Sequence, residues 1–178
     1  THGHRDMEII SYVLSGELAH QDSMGNGKPG GENAGVIRPG DVQRMSAGTG
    51  VMHSEFNNAK DRPTHFLQIW IMPGQRGLKP AYGQHRFDRA QAAAGFALLA
   101  SADGRDGSIA LLQDASLSVA LVDGDAARTY DLASGRSAWV HVARGTVSVN
   151  GRPLAEGDAA AVTDAAITLS AGSDAEVL

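Results

Sequence analysis

Three histidines and a glutamate near the start of the chain fall into two pairs of equal spacing, His2 with His4 and His53 with Glu55. Alternate side chains on a β-strand point to one face, so each i, i+2 pair places two ligand groups on one side of its strand. Two such strands facing one another across a barrel would offer three neutral imidazoles and one carboxylate to a single ion. That donor set suits Fe(II), Cu(II), Ni(II) or Zn and leaves one or two coordination positions for a substrate. The same residues fit a plainer arrangement, with His2 and His4 in a loose terminus and His53 beside Glu55 in a surface loop. Spacing alone does not separate the two.

The elements that would position these groups are strands. The chain has 178 residues, 42% hydrophobic and 20% charged, enough for one large or two small domains, and its 22 glycines with 5% aromatic content favour an all-β protein over a helix bundle. Ile9–Leu14 and Glu17–His20 read as short strands broken at Ser15-Gly16. The stretch from Asp22 to Gly35 has the composition of a long exposed loop. Pro39-Gly40 suits the central positions of a type II turn, so two strands should meet there. Phe66 to Met72 is apolar on both faces and predicts a strand covered on both sides. Asp88 caps one or two helical turns that end at Gly95, and Phe96–Ser101 returns to strand.

The second half repeats this grammar. Gly145 to Gly151 gives a strand with an Asn-Gly hairpin, and Ala155-Glu156-Gly157-Asp158 echoes Arg38-Pro39-Gly40-Asp41. Two related barrels follow: residues 1–75 as a metal-binding barrel, 76–95 as the connection with a short helix or turns, and 96–178 as a second barrel. Aligning the repeats places Asp131, Ala133 and Ser170 where the first half has His2, His4 and His53, so the second barrel is expected to bind no metal. The chain starts without methionine, so upstream residues are expected, with further strands of the first barrel among them.

Charge and composition exclude several classes. Twenty acidic against fifteen basic residues give a net charge of -5, which argues against direct contact with nucleic acid or an anionic membrane. With no cysteine in the chain, thiolate sites and disulfides are excluded. No apolar run is long enough to cross a bilayer. A cytoplasmic location is expected.

His2-Gly-His4-Arg-Asp-Met-Glu8, Tyr12-Val-Leu-Ser-Gly16, His20-Gln-Asp22-Ser, Ile37-Arg-Pro-Gly40-Asp and Ser46-Ala-Gly-Thr-Gly-Val-Met-His53-Ser-Glu55 together resemble the pirin family in order and spacing. Pro80-Ala-Tyr82 and Gln84 resemble that family's interdomain segment. The resemblance implies an all-β chain of two cupin-type (jelly-roll) barrels. It also implies one divalent metal held by His2, His4, His53 and Glu55, Fe(II) first, with Cu, Ni, Co, Zn or Mn as alternatives. Glu8 then ranks as a residue supporting the site or the fold. His20, His65 and His85 read as structural or solvated.

Bacterial chains of this pattern resemble quercetin 2,3-dioxygenases, which open a flavonol with O2 and release carbon monoxide. On that reading the partners are a small aromatic or enolic substrate and O2, the chain works as a monomer, and Glu55 takes the proton of the flavonol 3-hydroxyl. Phe66, Trp70 and Met52 could line an apolar pocket beside the metal, although such residues in a barrel wall are more often core. The alternative class is a redox-responsive regulatory protein that acts through a protein partner.

Overall fold

A computed structural model describes Thr1–Lys28 and Gly35–Leu178. The long loop read over 22–35 falls partly on 29–34, which lie outside the described residues. The chain divides into two units, Thr1–Phe87 with Leu99–Ser116, and Asp88–Leu98 with Leu117–Leu178.

Two antiparallel four-stranded sheets form the first unit's framework. One runs β1 (His2–His4), β6 (Val51–Asn57), β3 (Leu18–Asp22), β4 (Val36–Ile37). The other runs β7 (His65–Ile71), β2 (Glu8–Ser15), β5 (Asp41–Ser46), β8 (Ala81–Arg86). Their inner faces meet in layers. Ile9 and Met45 of the second sheet pack with Val51 of the first, and Val13 packs with Leu18 and Ile37. Ser11 lies between Ile9 and Val13 on the same face of β2, and Gln68, Ser11, Gln43 and Gln84 stand in one cross-strand row. A polar layer is thereby enclosed between two apolar ones.

The turn chemistry is as the residues require. Asp41 N–H donates to the Arg38 carbonyl (2.8 Å) across Pro39-Gly40, and Gly40 has φ +92°. Gly16, at φ +78°, ends β2, and a Cβ there would lie 2.5 Å from the Pro63 carbonyl oxygen.

Three expectations change. The segment 76–95, read as a connection, contains β8, which pairs residue for residue with β5 from Asp41↔Arg86 to Ser46↔Ala81. Its polar composition reflects a sheet edge, where one flank is open to water. Likewise β7 is an edge strand and not a doubly covered one, with Trp70 54% exposed and Met72, just beyond it, 53% exposed. Leu99–Ser116, read with the second barrel, groups with the first unit. It carries most of β9 (Ala97–Ser101), which pairs in parallel with β10 (Ile109–Ala110).

In the second unit, Asp88 Oδ1 accepts from Ala90 N–H (2.8 Å) and caps α1 (Arg89–Ala94), which Gly95 ends. The strands are β11 (Ser116–Gly124), β12 (Arg128–Tyr130), β13 (Ser137–Val149), β14 (Arg152–Ala155), β15 (Ala159–Thr163) and β16 (Ile167–Val177). β16 pairs with β11, β12 and β13, while β13 pairs also with β14 and β15. Val142, Val147, Val149, Leu169 and Val177 form its core. Asn150 and Gly151, both at positive φ, close the β13–β14 hairpin. An all-β architecture, with one short α-helix among the described residues, is what the sequence predicts.

Candidate metal centre

Cross-strand register assembles the centre. β1 pairs with β6 so that His2 stands opposite His53 and His4 opposite Val51. On its other side β6 pairs with β3, which sets Asp22 opposite His53 and His20 opposite Glu55. Opposed residues share a face, so one sheet face carries His2, His4, His53, Glu55, His20 and Asp22. The i, i+2 rule read from the sequence holds on β1 and β6, and it holds on β3 as well.

His53 Nε2 lies 3.0 Å from His2 Nε2 and 3.1 Å from His4 Nε2. Nitrogen ligands at about 2.1 Å from an ion and at right angles to one another stand about 3.0 Å apart, so the observed separations are those of imidazoles directed at one point. Burial pushes the His53 pKa down to about 4, with His20, His2 and His4 adding to the effect. Burial and His2 lower His4, against the pull of Glu55. Imidazoles kept neutral present lone pairs, the form that binds metal. The donor types and their separations fit a divalent transition metal.

Glu55 is not part of that tight triad. Its Oε1 accepts from Ser11 Oγ (3.2 Å) and its Oε2 from Gln68 Nε2 (2.7 Å), both on the facing sheet. Gln68 Oε1 in turn accepts from Trp70 Nε1 (2.9 Å). Among the described residues two groups offer ligand atoms within 4.8 Å of one another, His2/His4/His53 and His20/His53/Glu55, and His53 and its strand join them.

His20 is therefore neither solvated nor remote. It is 1% exposed, and its Nε2 meets Asp22 Oδ2 at 3.0 Å. Asp22 also accepts from the backbone N–H groups of Met24 and Asn26 and from Asn26 Nδ2. Burial raises the Asp22 pKa, but the bonds from His20 and Asn26 outweigh it and hold the carboxyl below its ordinary range. The signal was present in the sequence, since His20-Gln21-Asp22 has the spacing of the two ligand pairs. Ser11, Gln43 and Gln68 carried no comparable signal.

Other residues settle elsewhere. Glu8 lies on the opposite face of β2 from Ile9 and Ser11, where its Oε2 accepts from Ser46 Oγ (2.9 Å) and Leu112 N–H (3.3 Å). Its role is within the fold. Trp70 sets its ring edge-on to His4, with centroids 5.2 Å apart, and remains half-exposed. Phe66 packs on Val13, Leu18 and Ile37, while Met52 is exposed, so the three do not form one pocket wall. His65 is exposed, and His85 and His141 are half-buried. Among the described residues no helix is long and apolar enough to cross a membrane.

Comparison with known proteins places the chain in a family. Residues 1–71 match the family model described as Pirin, and 98–178 match that of the quercetinase C-terminal cupin domain. A protein of Escherichia coli K12 named quercetin 2,3-dioxygenase is 42% identical over 179 residues, spanning 100% of this chain and 73% of that one. A Pseudomonas aeruginosa protein named putative quercetin 2,3-dioxygenase is 40% identical, over 99% of this chain and 74% of its own length. The crystal structure of the bacterial pirin YhhW from Escherichia coli in complex with nickel(II) superposes with a TM-score of 0.87 at 41% identity, covering 99% of this chain and 72% of that one.

Proposed function

The chain belongs to the pirin family, and from that premise we propose that it is a metal-dependent dioxygenase of the quercetin 2,3-dioxygenase type, with His2, His4, His53 and Glu55 as the ligands of one divalent metal. The observation that carries the reading is the convergence of three Nε2 atoms, His53 standing 3.0 and 3.1 Å from its two neighbours. Relatives bearing the dioxygenase name, and nickel in a relative's structure, support it. Fe(II) is the expected native ion, with Ni, Cu, Co, Zn or Mn accepted by the same donors.

When bound, the metal would supply Lewis acidity and a route for electron transfer to O2. The protein's own groups do the rest. His2, His4 and His53 hold the ion from one sheet. Glu55 takes up the proton of an enolic or phenolic hydroxyl at the open side, its carboxylate aimed by Ser11 and Gln68. Trp70, tethered through Gln68, sets a flat apolar surface beside His4 against which an aromatic substrate can lie. The second unit, with Asp131, Ala133 and Ser170 at the corresponding positions, takes no metal on this reading.

Anaerobic reconstitution with Fe(II), Ni(II), Cu(II) or Co(II), followed by O2 uptake and carbon monoxide release with quercetin, tests the proposal. Turnover that disappears in His53→Ala is the expected result. Tight metal binding with no turnover on any flavonol would refute the enzymatic reading and leave the regulatory one.

A further inference from the structure

Two of the centre's imidazoles each leave one ring nitrogen unaccounted for. His53 directs Nε2 at His2 and His4, and its Nδ1 is buried with no hydrogen-bond partner among the described residues. His20 directs Nε2 at Asp22, and its Nδ1 is likewise buried and unpartnered among them. Both residues are 1% exposed, and their ring centroids are 5.4 Å apart.

The chemistry of the two atoms is complementary. A carboxylate cannot donate, so His20 Nε2 carries the proton toward Asp22 and its Nδ1 is a lone pair. A metal ligand at Nε2 must offer a lone pair there, so a neutral His53 carries its proton at Nδ1. Two neighbouring buried rings, 5.4 Å apart between centroids, thus leave an unused donor on His53 and an unused acceptor on His20. Gln43 adds to these. Gln43 is 1% exposed with neither amide atom partnered among the described residues, and it stands opposite Ser11, whose hydroxyl reaches Glu55. The enclosed polar layer therefore holds a donor, an acceptor and an amide offering both, the two to four partners that a buried water requires.

We infer that His20 is a positioning residue for the metal ligand His53, acting through one buried water that bridges His20 Nδ1, His53 Nδ1 and the Gln43 amide, with Asp22 fixing the orientation of His20. The inference rests on His53 being a metal ligand, as proposed above. Asp22 sets the His20 tautomer, His20 accepts from the water, and the water accepts the His53 N–H. That chain locks the ring angle at which His53 presents Nε2. Outer partners of this kind typically affect metal affinity by about ten- to a hundredfold.

Two substitutions at His20 separate positioning from a merely structural role. The amide of glutamine overlays the Nε2 side of histidine, so His20→Gln keeps the Asp22 bond and loses the inner acceptor. The amide of asparagine overlays the Nδ1 side, so His20→Asn keeps the acceptor and loses Asp22. Nickel(II) affinity is measured by chelator competition on the full chain, with thermal melts of the metal-free protein as the structural readout. The expected result is a drop of about ten- to a hundredfold in affinity for His20→Gln with an almost unchanged melt, while His20→Asn melts lower yet binds nickel more tightly than His20→Gln. Gln43→Leu, which leaves the His20–Asp22 pair intact, is expected to weaken nickel binding severalfold and to remove the bridging water from a high-resolution crystal structure. Native affinity in both His20→Gln and Gln43→Leu, or affinities that simply follow the melts, would overturn the inference. A native chain that binds no nickel would overturn the metal centre itself, a distinguishable failure.

Discussion

Replacing Glu55 by glutamine removes a base and exchanges the centre's carboxylate donor for a neutral amide oxygen, while the three imidazoles stay in place. Glu55 accepts from Gln68 Nε2 at 2.7 Å and from Ser11 Oγ at 3.2 Å. A glutamine amide can keep its oxygen on Gln68 and turn its NH2 toward Ser11, whose hydroxyl rotates to accept. The exchange of a charged acceptor for a neutral one at Gln68 costs on the order of 1 kcal/mol, and the His2, His4 and His53 triad is untouched. Loss of a positioned base costs about a hundred- to ten-thousandfold in rate, or roughly 3 to 5 kcal/mol on the barrier. The expected outcome for Glu55→Gln is therefore a loss of at least a hundredfold in carbon monoxide release per bound metal, with metal content after reconstitution, read by mass spectrometry, falling far less than turnover because the three imidazoles remain. Metal content and turnover falling in parallel would refute the base assignment, leaving Glu55 a ligand only. So would turnover within tenfold of native.

Gln68→Leu removes both the donor to Glu55 and the acceptor of Trp70 Nε1, and should lower turnover about ten- to a hundredfold at unchanged metal loading, since one hydrogen bond to a charged group is worth roughly 1.5–3 kcal/mol; a quercetin steady-state assay checks it. The metal-free protein should lose stability as the pH falls. With the folded His53 pKa near 4 and an ordinary value of 6.5, the unfolded chain binds this proton first on acidification. The stability present above about pH 6.5 is lost progressively down to pH 4, on the order of 3 kcal/mol in all. Urea midpoints of the native chain minus those of His53→Asn measure this contribution, and a difference flat between pH 6.5 and 4.5 would contradict it. Gly16→Ala places a methyl 2.5 Å from the Pro63 carbonyl oxygen at φ +78°, and should lower stability by at least 1 to 2 kcal/mol in the presence or absence of metal, seen as a reduced melting temperature.

The sequence by itself determined whatever depends on neighbours along the chain. The i, i+2 pairs of β1 and β6, the Pro39-Gly40 turn, the Asn150-Gly151 hairpin and the Asp88 cap each rest on local backbone geometry, which a few adjacent residues fix. The histidines of the triad were legible for that reason. What only the tertiary structure decided is which strands lie side by side, in what register, and which face turns inward. β8 was hidden in a polar stretch because an edge strand needs little apolar alternation. Glu8 could support either the site or the fold until β1 and β2 went to different sheets and left it bonded to Ser46 and Leu112. His20 looked unremarkable until the β3–β6 register set it opposite Glu55 and put Asp22 opposite His53. That register is settled by the sum of buried contacts and ladder bonds across dozens of intervening residues. No local pattern encodes such a sum, so although His20-Gln21-Asp22 has the i, i+2 spacing of the ligand pairs, its place beside them, with Ser11, Gln43 and Gln68, became visible only once the strands were paired.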